Sequence, residues 1–246
     1  MGELIAVASG KGGTGKTSVT ALLATSLAQA GKRVLCIDCD IGLRNLDISL
    51  GLSDHCALSF LDVLESGYPI SQATVHPDFP SLHFLTAPMN RAPEKIDAAS
   101  FADLLMEVRR SYDYIFLDAP AGVDAGFRLA AGCADRCILV TGPGPAALRD
   151  AARTAQVLEL MGKVNVRLLV NRIQPKLFRA MDITVDDMMD TAGLPLLGII
   201  PEDPNVTLAA TFNRPLLKYK PRSAAAKAGL RITRRILGMP VPVKAR

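Results

Sequence analysis

Gly10-Lys11-Gly12-Gly13-Thr14-Gly15-Lys16-Thr17 is the most informative stretch of the chain. It fits G-x-x-x-x-G-K-[ST], and it stands between an apolar run at 4–8 and a helical pattern at 16–30. A strand, a glycine-rich turn and a helix in that order make a cradle for phosphate. Gly12, Gly13 and Gly15 let the backbone bend with no Cβ in the way, so successive N–H groups converge on an anion. The helix that starts there turns the positive end of its dipole to the same point. Lys16 adds a point charge for the β- and γ-phosphates, and the Thr17 hydroxyl is a ligand for Mg²⁺. Gly10, Thr14 and Ser18 complete the stretch expected around the nucleotide. A turn that bound nothing would not need motif, strand and helix in register.

Working outward, short apolar β-branched runs recur at 33–37, 82–86, 114–117, 136–140, 166–170 and 196–200. Helical patterns lie between most of them, at 57–65, 100–111, 146–161 and 183–191. Continuous apolar strands separated by helices predict an α/β fold, a mainly parallel sheet with helices on both faces in three layers. Right-handed crossovers then bring the loops after the strands to one edge, where ligands bind. No linker, repeat or low-complexity stretch divides the chain, so 1–246 reads as one domain.

Two more acidic clusters belong to that edge. Asp38-Cys39-Asp40 follows the second apolar run, and Asp118-Ala119-Pro120-Ala121-Gly122 follows the fourth. An aspartate ending a strand beside a phosphate loop holds Mg²⁺ directly or through water, which assigns Asp118. Pro120 and Gly122 suit a loop that moves when the γ-phosphate leaves. For the base, Asn171 can both donate and accept, as an adenine edge requires.

Composition narrows the setting. The chain is 49% hydrophobic and 21% charged, which is ordinary for a globular protein. No segment approaches the roughly 18 apolar residues of a membrane span, and the first strand begins too early for a signal peptide, so a cytoplasmic protein is expected. Five cysteines, Cys36, Cys39, Cys56, Cys133 and Cys137, are an odd number in a large domain and fit a reducing compartment. Cys36-x-x-Cys39 is read as structural, because no second cluster at metal-ligand spacing accompanies it. Ten cations and no acid follow Asp203, so residues 1–203 carry −6 against a total of +4. A basic end on an acidic body suits a polyanionic surface, lipid or nucleic acid.

The second lysine, Lys11, together with Asp38-x-Asp40-Ile41-Gly42-Leu43-Arg44-Asn45-Leu46-Asp47 and Gly198-Ile199-Ile200-Pro201-Glu202-Asp203, resembles the deviant Walker A MinD/ParA family of P-loop ATPases. The Gly-Leu-Arg-Asn-Leu-Asp stretch points to its MinD branch. The resemblance implies ATP and Mg²⁺ as ligands, slow hydrolysis and an ATP-dependent homodimer. In it Lys11 reaches the partner subunit's phosphates, Lys16 holds its own, Asp40 orients the attacking water, and Asp38 acts near Mg²⁺ and the loop. The loops at Asn171-Arg172 and Pro201-Glu202-Asp203 flank the adenine. Leu148-Arg149-Asp150-Ala151-Ala152-Arg153 opens a helix that, with the switch loops, carries contacts to protein partners of the MinC and MinE kind. The role so implied is placement of the division site.

The end of the chain departs from the family's membrane-inserting tail. Over 227–239, Lys227, Arg231, Arg234 and Arg235 share one arc and Leu230, Ile232, Ile236, Leu237 and Met239 the other. Read alone that is an interfacial helix. Its place in order is that of the last core helix, so helix 223–239 is expected to bury its apolar face, leaving a short tail at 240–246. A weak contact with anionic membrane, peripheral at its inner face, then rests on exposed cations. The alternative is a ParA- or FlhG-like ATPase that positions DNA cargo or flagella, with salt-sensitive DNA contacts. An electron-transfer ATPase would need cysteines bridging a cluster at a dimer interface, and Cys133 and Cys137 lack that spacing.

Overall fold

The computed structural model describes residues 1–243 apart from 42, 56, 90, 181 and 182. Gly42 of the second motif, Cys56, and the tail cations Lys244 and Arg246 therefore lie outside the described residues.

The chain runs β1 (Glu3–Ala8), α1 (Lys16–Gln29), β2 (Val34–Asp38), α2 (Leu46–Leu50), α3 (Phe60–Ser66), β3 (Thr74–His76), β4 (Phe79–Leu85) and α4 (Ala98–Val108). It continues through β5 (Tyr114–Asp118), α5 (Ala125–Cys133), β6 (Arg136–Thr141), α6 (Pro145–Leu160), β7 (Val166–Ile173), α7 (Pro175–Ala180) and α8 (Val185–Ala192). Last come β8 (Leu196–Pro201), α9 (Pro204–Thr211), α10 (Leu216–Tyr219) and α11 (Ala224–Ile236).

The strands form one sheet in the order β3-β4-β2-β5-β1-β6-β7-β8. The ladders from β4 to β8 are parallel, and β3 joins antiparallel at one edge. Alternation along β1 shows why its sequence is apolar throughout. Leu4, Ala6 and Ala8 face one core, while Ile5 and Val7 face the other. One layer is built from α3–α6 and α8, the other from α1, α2 and α9–α11. Strand order reverses around β1, so the loop after β1 opens at a topological switch point.

Two helix starts are shifted from their sequence-predicted positions by capping boxes. Ser59 and Thr184 each accept from the N–H three residues on, and Asp62 and Asp187 return the bond to the cap's own N–H. The elements that periodicity leaves unread are short or built of small residues. Strand β3 has three residues, and the α5 sequence AGFRLAAGC follows directly on the Pro120–Gly122 loop.

Helix α11 turns its apolar face inward. Ala225, Ala226, Ala228, Ile232 and Ile236 are buried against α1 and β8. The contact is close: a Cβ on Gly229 would sit 2.5 Å from Leu22 Cγ, and one on Gly198 2.5 Å from Ile232 Cγ1. The interfacial reading of this helix is thereby overturned, since a face packed on the sheet cannot enter lipid. Lys227 and Arg234 remain exposed, while Arg235 Nη1 donates to the Leu197 carbonyl at 2.7 Å.

Candidate functional site

At the loop after β1 the backbone takes the conformations its glycines permit. Gly13 and Gly15 have φ of 81° and 84°, in the left-handed region. Gly10 is required for another reason: its Cβ would lie 2.5 Å from Thr154 Oγ1 and 2.7 Å from the Asp150 carbonyl, so the loop's start is pressed onto α6. At the other end the Asn171 amide donates to the Thr14 carbonyl at 2.8 Å, which ties the loop to β7. Helix α1 then begins at Gly15 with no side-chain cap and no acid in its first turn. Its free N–H groups suit an anion.

Register sets the acids beside it. Parallel pairing of β2 with β5 puts Asp38 directly opposite Asp118, and both are buried. Asp118 is met by three side chains of α1. Thr17 Oγ1 donates to Oδ2 at 2.8 Å, Thr20 Oγ1 to Oδ1 at 2.8 Å, and Lys16 Nζ stands 3.3 Å from Oδ1. Lys16 is only 6% exposed. Sequence reading did not single out Thr20. The signal was there: a hydroxyl one turn after Lys16 on the buried face of a helix.

Asp38, expected near the metal, has both oxygens engaged by its own loop. Oδ1 accepts from Asp40 N–H at 2.9 Å and Oδ2 from Leu46 N–H at 3.2 Å. It ties Asp40 and Leu46 to the sheet end. Burial, and then the neighbouring Asp118 charge, push its carboxyl up to about 7 against the help of those two N–H groups. Asp40 is half-buried, and its carboxyl is also raised by burial, with Lys16 opposing. Lys11 is exposed, and its ammonium makes no ion pair among the described residues.

A cleft of about 380 Å³ extends from Gly15 and Ser18 past Asn171 and Arg172 to Pro201 and Asp203. Arg172 is exposed there with φ 59°, at an irregularity of the β7–β8 ladder. Asp203 does structural work as well. Its oxygens accept from Asn205 N–H and Ala225 N–H, each at 3.0 Å, capping α9 and α11 together. Burial would raise this carboxyl, yet those donors hold it below the usual carboxylate range.

The donor set fits a magnesium–triphosphate. Buried Asp118 meets the buried Lys16 ammonium, Asp38 stands opposite Asp118 in register, an uncapped helix N-terminus is nearby, and no Cβ at Gly12 or Gly13 would meet a protein atom within 4 Å. Thr14 Oγ1 is buried without a hydrogen-bond partner among the described residues. Thiol chemistry is not indicated. Cys36 and Cys39 are free and buried, and burial pushes both far above the ordinary thiol value. Cys137 is buried in β6, its thiol pushed up to about 11 for the same reason.

Comparison with known proteins follows the same line. Residues 5–216 match the CobQ/CobB/MinD/ParA nucleotide binding domain. The septum site-determining protein MinD of Synechocystis is 38% identical over 244 residues, covering 98% of this chain and 92% of that protein. MinD in the MinC:MinD cell division complex of Aquifex aeolicus superposes with a TM-score of 0.90 at 36% identity, covering 98% of both chains. The Pyrococcus horikoshii MinD complexed with Mg-ADP gives 0.84 at 31% identity over 96% of both. Identity at this level, sustained from end to end and joined to a phosphate loop on a β1 switch point, places the chain in the MinD/ParA family of nucleotide-binding ATPases, in its septum site-determining MinD branch.

Proposed function

We propose that the chain is an ATP-driven dimerisation switch for division-site placement. Mg-ATP is held between the phosphate loop and the Asn171 and Pro201 loops, two copies close over it, and hydrolysis opens them. The carrying observation is the convergence of Lys16, Thr17 and Thr20 on Asp118 at the uncapped start of α1.

Each residue then has a role that its place supports. The backbone N–H groups of residues 10–15 and the α1 N-terminus take the phosphates, and Lys16 follows their charge. The Thr17 hydroxyl would hold magnesium, with Asp118 behind it and Asp38 keeping the switch loop in shape. Bound magnesium neutralises phosphate charge and polarises the transferred group. Asp40, half-buried at the loop's inner side, holds the attacking water. Lys11, exposed at the start of the loop, serves the second copy, stabilising charge that develops as the phosphoryl group leaves. Turnover is slow because that lysine arrives only with the dimer. Asn171 and Arg172 with Pro201 and Asp203 flank the adenine.

Protein partners meet the outer side of α6. Leu148 and Ala151 are buried there, which leaves Arg149 and Arg153 outward with Asp150 at the rim. The Aquifex MinC:MinD complex supports a MinC-like partner. Among the described residues no helix is long and apolar enough to cross a membrane. Membrane contact is peripheral and electrostatic, through the exposed cations of α11, and doubles when the dimer forms.

The test is Lys16→Ala in calorimetry and phosphate release. Magnesium-dependent ATP affinity and hydrolysis are expected to fall by about 100-fold or more. Full hydrolysis by that variant would sink the reading. Sedimentation with anionic vesicles and a DNA-shift assay, each with and without ATP, separates the membrane role from a ParA-like one, whose binding would drop steeply with salt.

A further inference from the structure

Helix α1 carries three buried hydroxyls, those of Thr20, Thr25 and Ser26, and they do not behave alike. Thr25 donates to the Ala21 carbonyl at 2.7 Å and Ser26 to the Leu22 carbonyl at 2.6 Å. Both are bonds back to the preceding turn, the ordinary habit of a hydroxyl inside a helix. Thr20 has the same option, with the Lys16 carbonyl at 3.1 Å, yet Asp118 Oδ1 stands closer, at 2.8 Å. A hydroxyl has one proton, and the shorter contact is to a carboxylate, so the proton goes to Asp118.

This bond has a purpose that the other two lack. Asp118 is 0% exposed, and a buried carboxylate must find donors. Those donors are Thr17, Thr20 and Lys16. Under the nucleotide reading above, on which this inference rests, Lys16 is called to the phosphates and the Thr17 oxygen to the metal. Thr20 is called to neither. It lies a full turn deeper along α1, with no exposed surface at all.

We infer that Thr20 is a positioning residue of the nucleotide site, whose hydroxyl fixes the Asp118 carboxylate from behind and keeps it aimed at the phosphate loop while Lys16 turns to the nucleotide. Its β-branch restricts χ1 in a helix, which suits a donor that must not wander. The cooperation of Asp118 with magnesium is thereby prepared before the nucleotide arrives.

Calorimetry of ADP and of a non-hydrolysed ATP analogue, each in magnesium and in chelator, tests this with Thr20→Val, Thr20→Ala and Thr20→Ser. Valine keeps the shape and removes the donor. It is expected to lower the affinity gained from magnesium by about tenfold, in line with an unsatisfied buried carboxylate oxygen. Affinity in chelator should stay within about twofold of the parent, a split that simple loss of packing would not produce. Serine restores the gain. Alanine removes the donor without new bulk and gives the same readout should valine misfold. An unchanged magnesium gain in a folded valine or alanine variant overturns the inference, as does a serine variant as impaired as valine. A parent protein with no magnesium gain at all would instead defeat the nucleotide reading itself.

Discussion

Asp38 is a carboxyl that the folded chain holds at a cost. Its value of about 7 comes first from burial and then from Asp118, while the unfolded chain releases the proton near 3.8. The folded state therefore binds a proton that the unfolded state does not, and stability declines as pH rises through that interval. Between roughly pH 6 and 8 the decline amounts to about 1 kcal/mol in magnesium-free protein. Asp38→Asn should flatten that slope in denaturant titrations at the two pH values, whatever it does to absolute stability. An unchanged slope would mean the carboxyl titrates elsewhere. Lys16, Thr17 and Asp118 were legible in the sequence because motif and strand end fix them without reference to anything distant. The tasks of Asp38 and Thr20 were not. Thr20 meets Asp118 across a sequence separation of 98 that no local pattern encodes, and the two N–H groups that Asp38 holds, those of Asp40 and Leu46, are set by the path of their loop.

Helix α11 shows how an element can be read two ways until its neighbours are known. Its cationic arc and apolar arc were both plain in the sequence, but whether the apolar arc met lipid or protein depended on Gly198 and Gly229, whose missing side chains admit Ile232 and Leu22. Short elements such as α10, four residues long, escaped reading because too few positions define a period. The close packing of α11 can be measured. Gly229→Ala gains about 1 kcal/mol of helix propensity but forces a methyl to within 2.5 Å of Leu22 Cγ, and overpacking costs about 1–3 kcal/mol. A net loss is expected, with Tm lower by about 3 °C for a chain of this size. Gly132, in α5 with open space around its Cβ position, supplies the control. Gly132→Ala should hold or raise Tm, since propensity acts there unopposed. Equal effects at the two positions would contradict tight packing of α11 on α1.

Across the whole molecule, the mainly parallel character of the sheet was readable from apolar runs alternating with helices, whereas the strand order β4-β2-β5-β1-β6-β7-β8 depends on crossovers that no run encodes, and the antiparallel β3 edge was too brief to see. Under the proposed dimer, the single chain would leave its own catalytic site incomplete. Lys11 is exposed and makes no ion pair among the described residues, while Lys16 and Thr17 meet the buried Asp118 and Asp40 is half-buried. If Lys11 serves the opposite copy, damage to it and damage to Asp40 fall on different halves of one composite site. Lys11→Ala and Asp40→Ala should each abolish hydrolysis alone. Mixed in equal amounts, half of the dimers pair one variant with the other, and in each of these one of the two sites has an intact Asp40 and receives an intact Lys11. The mixture is then expected to recover about a quarter of the parent rate, rising with protein concentration as dimers exchange. A lysine acting on its own nucleotide predicts no recovery at any ratio, because every site would lack one residue or the other. Phosphate release across a series of mixing ratios distinguishes the two, with a maximum at equal amounts if the site is shared.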